Sequence, residues 1–456
     1  MLKKISNWDE EAARHILSRS MFGYRKADLE NALSYSLDHF VDEVILTDFP
    51  LPQPPGDWVT VMPDPRDFQA NQEKMQETVY WWYDLMFNQE TNLREKMVLF
   101  LHNHFVSEYA VVEIPHYMYI QNSLFREYSF GNFRELTKKI TIDPAMLRYL
   151  DGSKNIKSSP NENYGRELLE LFTLGIGNYT EKDIVEAARA LTGWKIDGLG
   201  SLFYPNLFDD GEKEIFGKKG NYNYEELIDL IFEKEECAEF ICAKLYAEFV
   251  HYEANTEYVK QLAEVFRENN YELKPVLSAM LKSEYFHSEE IRGAKIKSPI
   301  EYLISTVKQL GISNIDHKYL FYIAKDLQQI LFNPPDVRGW EGQRNWISTN
   351  TFPLRNNFAD SVITGKKYPQ GMLDEKVDSL TYARSFNTSE QADEFVEDVT
   401  NELLQYEILE SQKNMLLEIL LDGAEIYDWS TYDPDAESRI RAFLIALMRL
   451  PEFQLS

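Results

Sequence analysis

Apolar residues recur every third or fourth position along most of this chain, the spacing of helices that bury one face or lie wholly in a core. The pattern predicts helices near 8–19, 26–46, 68–88, 92–106, 114–126, 132–141, 161–174, 181–193, 223–233, 235–250, 255–269, 273–283, 298–310, 318–330, 389–405, 411–421 and 437–448. Thr180, followed three residues later by Asp183, opens one of them in the manner of a capping box. Two stretches break the period. Residues 195–222 are bordered by strand-like runs, Trp194 to Asp197 and Leu202 to Tyr204, with a turn signal at Asp209-Asp210-Gly211. Residues 332–346 are rich in Gly and Pro yet hold Trp340 and Trp346, which points to inward packing. Pro50 to Pro65 contains six prolines and reads as a surface connection. The expected fold is mostly α, a large multi-helix assembly with a small β-excursion near 195–222. Residues 1–363 are expected to form a helical core. Residues 364–456, with 19 acidic against 8 basic side chains, form an acidic C-terminal helical segment packed on it as one unit.

Two helices carry candidate chemistry. Between Leu93 and Val106 the apolar residues encircle the helix axis, which places that helix in the interior. His102 and His104 lie on it, flanking Asn103. Residues i and i+2 of a regular helix sit about 200° apart, so the two imidazoles do not chelate one ion from this geometry. Both are expected to be interior and hydrogen-bonded. In the second helix, from Asn161 to Phe172, Glu162, Asn163, Arg166, Glu167 and Glu170 fall within roughly 140° of one another. Taken alone, that face reads first as solvated, with Glu162/Arg166 and Arg166/Glu170 as i,i+4 pairs and Asn161 or Asn163 starting the helix.

Composition narrows the function classes. A formal charge of −28 and a pI near 4.7 argue against a nucleic-acid partner, which needs a basic surface. No apolar run reaches 18 residues, so no membrane span is expected. Met1 to Glu11 has two lysines but no apolar stretch behind them and does not read as a secretion signal. Cys237 and Cys242, five residues apart in a helical pattern, are expected to be buried thiols.

Six segments, spread in order over nearly the whole chain, resemble a bacterial family catalogued as domain of unknown function 1800. They are Arg14 to Gly23, Glu95 to Phe105, the Asn161–Phe172 helix, Ala187 to Trp194, Pro335 to Trp340, and Leu450 to Leu455. The resemblance implies that the acidic helix is a signature lining an internal polar site, with Glu162, Arg166, Glu167 and Glu170 as candidate catalytic residues. Asn161, Asn163, His102, His104, Asp209 and Lys213 would complete a buried polar centre. One arginine does not balance three buried carboxylates, so a divalent cation held by Glu162, Glu167, Glu170, His102 or His104 is one way to close the deficit. Two departures weigh against a histidine-rich metal site: this chain has Phe172 and Phe208 where relatives commonly have histidine. Family members are often exported, and their genes often neighbour those of domain of unknown function 1501, a family similar to sulfatases, which implies a sulfatase-like partner. The function expected is structural or partner-binding, with a carboxylate-based hydrolase as the alternative. For the structural reading, residues 195–222 and 333–346 should seal the polar centre, with Trp194 and Trp340 packed over it.

Overall fold

The computed structural model describes residues 1–314 and 316–456. Twenty-two α-helices, together with short 3₁₀ and π turns, account for more than half of the described residues, and the strands among them are confined to two small antiparallel hairpins. The first hairpin pairs Trp194–Asp197 with Gly200–Phe203, and the second pairs Lys213–Ile215 with Lys218–Gly220. The fold is therefore mostly α with a small β-excursion, placed where the helical period fails.

The long periodic segments form helices close to their predicted limits, among them Phe68–Phe87, Arg94–His104, Glu235–Phe249 and Pro299–Gln309. The segment 26–46 does not form one helix. It divides into Lys26–Leu33, Leu37–His39 and a π-helical turn Phe40–Ile45, with Ser36 capping the second piece. Thr351–Thr364 is a helix the sequence pattern misses. Pro353 argues against helix there, but it falls in the first turn, where no intrahelical N–H is lost.

Charge is also buried in this core. Glu95 and Arg126, on the helices Arg94–His104 and Pro115–Glu127, lie 5% and 1% exposed. Arg126 donates from Nε and Nη2 to the two Glu95 oxygens, each at 2.8 Å, and from Nη1 to Asn122 Oδ1 at 2.9 Å. Trp82 Nε1 donates to Glu95 Oε2 at 3.0 Å, and Trp81 lies 4.9 Å from the guanidinium. Every strong donor of this fork meets an oxygen, which is the condition for burying an ion pair without a large penalty. Cys237 and Cys242 are both free and buried.

From residue 364 onward the chain continues as the helices Ser379–Arg384, Ala392–Leu403, Glu410–Leu421 and Ala436–Met448. Its end returns to the first part of the chain: Leu455 bridges Ile296, and Arg449 pairs with Asp360 at 2.6 Å. No helix of the described residues is long and apolar enough to cross a membrane.

Candidate functional site

The acidic helix begins as predicted, with the Asn161 side chain accepting from Asn163 N at 3.0 Å. It then changes character: Glu162–Glu167 is α-helical and Leu168–Thr173 is π-helical. The wider turn changes the register of everything after Leu168, and Glu170 is engaged by Tyr179 rather than by Arg166. Gly165 explains where the helix is held. A Cβ there would lie 3.3 Å from Ala188 N and 3.5 Å from Ile184 O, so a bare glycine lets this helix approach Glu181–Ala190 closely.

The expected burial of this polar face is corrected by its exposure. The Arg166 and Glu162 side chains are 37% and 44% exposed, and Arg166 forks onto Glu181 of the neighbouring helix at 2.9 and 3.0 Å. Glu170 accepts from the Tyr179 hydroxyl at 2.6 Å, while Asn163 is exposed. Glu167 is half-buried, and burial, then the nearby Glu170, raises its carboxyl above the ordinary range. The arrangement is a half-wet seam between two helices. Exposed ion pairs of this kind contribute little, so Arg166→Ala should change the unfolding free energy by less than about 1 kcal/mol. A chemical-denaturation loss above about 3 kcal/mol would mean the seam is a buried clamp after all.

The two histidines are interior but diverge. His102 packs among Trp82, Phe332 and Trp340, with ring centroids 5.5–5.8 Å away. His104 faces Phe105, Phe133 and Phe172, and its Nε2 lies 2.9 Å from the Phe172 carbonyl. A carbonyl only accepts, so Nε2 carries the hydrogen and Nδ1 is a bare acceptor. His104 thus reaches the acidic helix through its backbone rather than through a carboxylate. Burial depresses both imidazoles to about 3, helped at His104 by the Lys244 ammonium. Glu162, Glu167, Glu170, His102 and His104 do not converge: among the described residues no three His, Cys, Asp or Glu side chains gather as metal ligands would.

Asp209 and Lys213 serve the hairpin region. Asp209 pairs with Arg189 through two hydrogen bonds, at 2.7 and 3.1 Å. Buried Lys213 donates to the Asp209 and Gly211 carbonyls at 2.6 and 3.1 Å and lies 4.8 Å from the Phe208 ring. Trp194 rests against Phe203 and Tyr224, not over the acidic helix.

A cavity of about 590 Å³ lies elsewhere, with His104 in its wall. Its walls come from the helices Arg94–His104 and Glu235–Phe249, the segment 293–301, and residues 338–346. Asn103 fastens the last of these. Its Oδ1 accepts from Trp340 N at 2.7 Å and its Nδ2 donates to Trp340 O at 3.2 Å. Gly339 has φ +80°, and a Cβ on it would stand 2.2 Å from Asn103 Oδ1, so only glycine allows this contact. The segment 333–346 therefore does pack inward, but onto the histidine helix and along this cavity.

Around the cavity is a charge cluster that the sequence reading missed. Lys96 forms an ion pair with Glu301, and Lys295 lies 3.8 Å from Glu248. Burial would raise the Glu301 carboxyl, but Lys96 and then Lys295 overcome it and hold it below the ordinary range. Behind this wall Arg19 donates to the carbonyls of Phe249, Val250 and Ile291. Lys297 donates to Phe453 O, and Arg355 to Lys297 O and Gln454 Oε1. Burial lowers Lys297 to about 7 and Arg19 to about 9. One sequence signal pointed here: a helix apolar all round that also contains Glu95 and Lys96 has to pair them internally.

The family model described as Protein of unknown function (DUF1800) matches residues 15–455, and the chain belongs to that family. No curated protein and no solved structure matches it.

Proposed function

We propose that this member of the family is a binding protein whose site is the cavity between the Arg94–His104 helix and residues 338–346. The observation that carries this reading is a set of buried polar atoms at the cavity wall with nothing to bond. His104 Nδ1 and Trp340 Nε1 belong to residues 4% and 7% exposed, and neither has a hydrogen-bond partner. Buried polar groups are normally satisfied, and an unspent donor and an unspent acceptor on residues lining one cavity are what a ligand would complete. A volume of about 590 Å³ accommodates a small molecule. Hydrolysis on the acidic helix has less support, because Arg166 and Glu170 are engaged by Glu181 and Tyr179.

The test is native mass spectrometry after incubation with a small-molecule cell extract. The wild-type chain should retain an added mass that Ala247→Trp, which fills the cavity, loses at unchanged melting temperature. Equal retention by both proteins would place binding elsewhere and overturn the reading.

A second reading is docking to a companion of sulfatase-like fold, as the family resemblance implies. Its support is an exposed apolar group close together in the chain, Val61, Met62 and Phe68, at 58%, 66% and 67% exposure. Co-purification with such a companion, lost on Met62→Glu/Phe68→Glu, is the outcome expected of it; unchanged co-purification would refute it.

A further inference from the structure

The whole chain is strongly acidic, yet the cluster around this cavity is not. Lys244, Lys295, Arg338 and Arg344 line it against Glu248, Glu301 and Glu341, and further cations, Lys96 and Arg19 among them, lie behind that wall. Glu301 is already engaged by Lys96. The rear cations donate to backbone carbonyls and the Gln454 amide, which solvate charge without cancelling it, while Nε of Arg19 and of Arg355 has no partner. One ammonium group at the cavity itself, Lys244, lacks a close anion. Lys295 has Glu248 at 3.8 Å and shares the Glu301 carboxylate with Lys96. Lys244 lies 5.4 Å from the Phe240 ring and makes no ion pair among the described residues. Buried charge without a counter-charge is costly, and neighbouring cations sum their fields in a low-dielectric recess.

We propose that the cavity takes a ligand with an acidic group, a carboxylate, phosphate or sulfate, bound against Lys244 and Lys295. Its neutral part lies toward His104 and Trp340. Bare Nδ1 of His104 accepts a hydrogen from a ligand hydroxyl, and Trp340 Nε1 donates to a ligand oxygen. Arg344, stacked 5.1 Å from the Tyr252 ring and donating to its hydroxyl at 2.7 Å, lines the same cavity. An anion neutralises the excess charge that the protein leaves uncancelled, while the histidine and indole select for a polar body over a bare inorganic ion. The assignment rests on the cavity being the binding site.

The experiment titrates the protein with inorganic phosphate, sulfate and citrate at constant ionic strength in chloride. Glucose serves as the neutral comparator, and tryptophan fluorescence and melting temperature are read. Citrate and at least one of the inorganic anions should raise the melting temperature and bind at least tenfold more tightly than glucose. Lys244→Met and Lys295→Met should each weaken that binding tenfold or more, and Lys244→Arg should restore most of it. Arg66→Met, at an exposed arginine outside the cavity and already paired with Asp64, should stay within twofold. Lys244→Met is also expected to melt no lower than wild type without ligand, because it removes an unpaired charge. No response to any anion, or equal binding by the lysine variants, overturns the assignment. If the mass retained in the Ala247→Trp comparison proves neutral, the acidic-ligand assignment falls while the cavity reading stands. If Ala247→Trp retains it equally, the cavity reading falls first.

Discussion

Replacing Arg126 with methionine is expected to lower the unfolding free energy by about 3–5 kcal/mol. The loss comes less from the attraction removed than from what remains. Glu95, 5% exposed, would keep its charge with only the Trp82 N–H at 3.0 Å and the more distant Arg94 guanidinium at 3.9 Å. Such a penalty is a large share of the 5–15 kcal/mol that separates folded from unfolded domains. The double replacement Glu95→Leu/Arg126→Met removes both charges and should recover most of the loss, as uncharged pairs of similar volume do in other cores. Urea titrations of the single and double variants decide the matter. A single variant within about 0.5 kcal/mol of wild type would show that water reaches the Glu95 carboxylate.

Acidification should destabilise the fold almost as severely. Burial holds His102 and His104 at about 3 and His287 at about 4, and pushes His15 well below its ordinary value. Below pH 6.5 the unfolded chain therefore binds protons at four imidazoles that the folded chain refuses. Stability falls with falling pH, by about 1.4 kcal/mol per unit for each histidine. Carboxyls raised by burial act in the opposite sense. Asp143, lifted to about 7 chiefly by burial, is protonated in the folded state first and stabilises it as the pH drops from 7 toward 4. Glu248 and Glu402, also raised by burial, add to this opposing effect, so the net loss between pH 6 and 4.5 is smaller than the histidines alone would give. Urea midpoints measured across that range should fall, and His287→Leu should flatten the slope by about one quarter of the histidine contribution. A flat profile would mean that these rings are charged or solvated in the native state.

How much of this was legible in the sequence depends on the kind of information each feature needs. Helix class follows from a local period, so Phe68–Phe87 and Pro299–Gln309 could be read directly. The π-turn at Leu168–Thr173 could not, because nothing in Leu-Leu-Glu-Leu-Phe-Thr distinguishes a bond to the fifth residue from one to the fourth. Nor could the Tyr179 hydroxyl that engages Glu170 be read from it. The acidic helix was chosen as a site for its density of charge, yet density of charge is also what a solvated seam looks like. The cationic cluster shows no local density at all. Lys96, Lys244 and Lys295 lie about 150 and 50 residues apart in sequence, on three separate segments. Only folding brings them together, so no spacing rule could have paired them. Burial of His102 and His104 was readable from the apolar helix around them; the carbonyl that fixes the His104 tautomer was not.

The contact between Asn103 and Trp340 carries an implication for how relatives of this chain must vary. An asparagine side chain is here acting as a short length of β-strand, giving one hydrogen bond to a backbone and taking one from it. Aspartate has the same shape but would set a carboxylate oxygen against the Trp340 carbonyl, and glutamine is one carbon too long for the gap that Gly339 leaves. Position 103 and position 339 are thus two halves of one fastening, 236 residues apart in the chain, and a relative that has changed one should have changed the other.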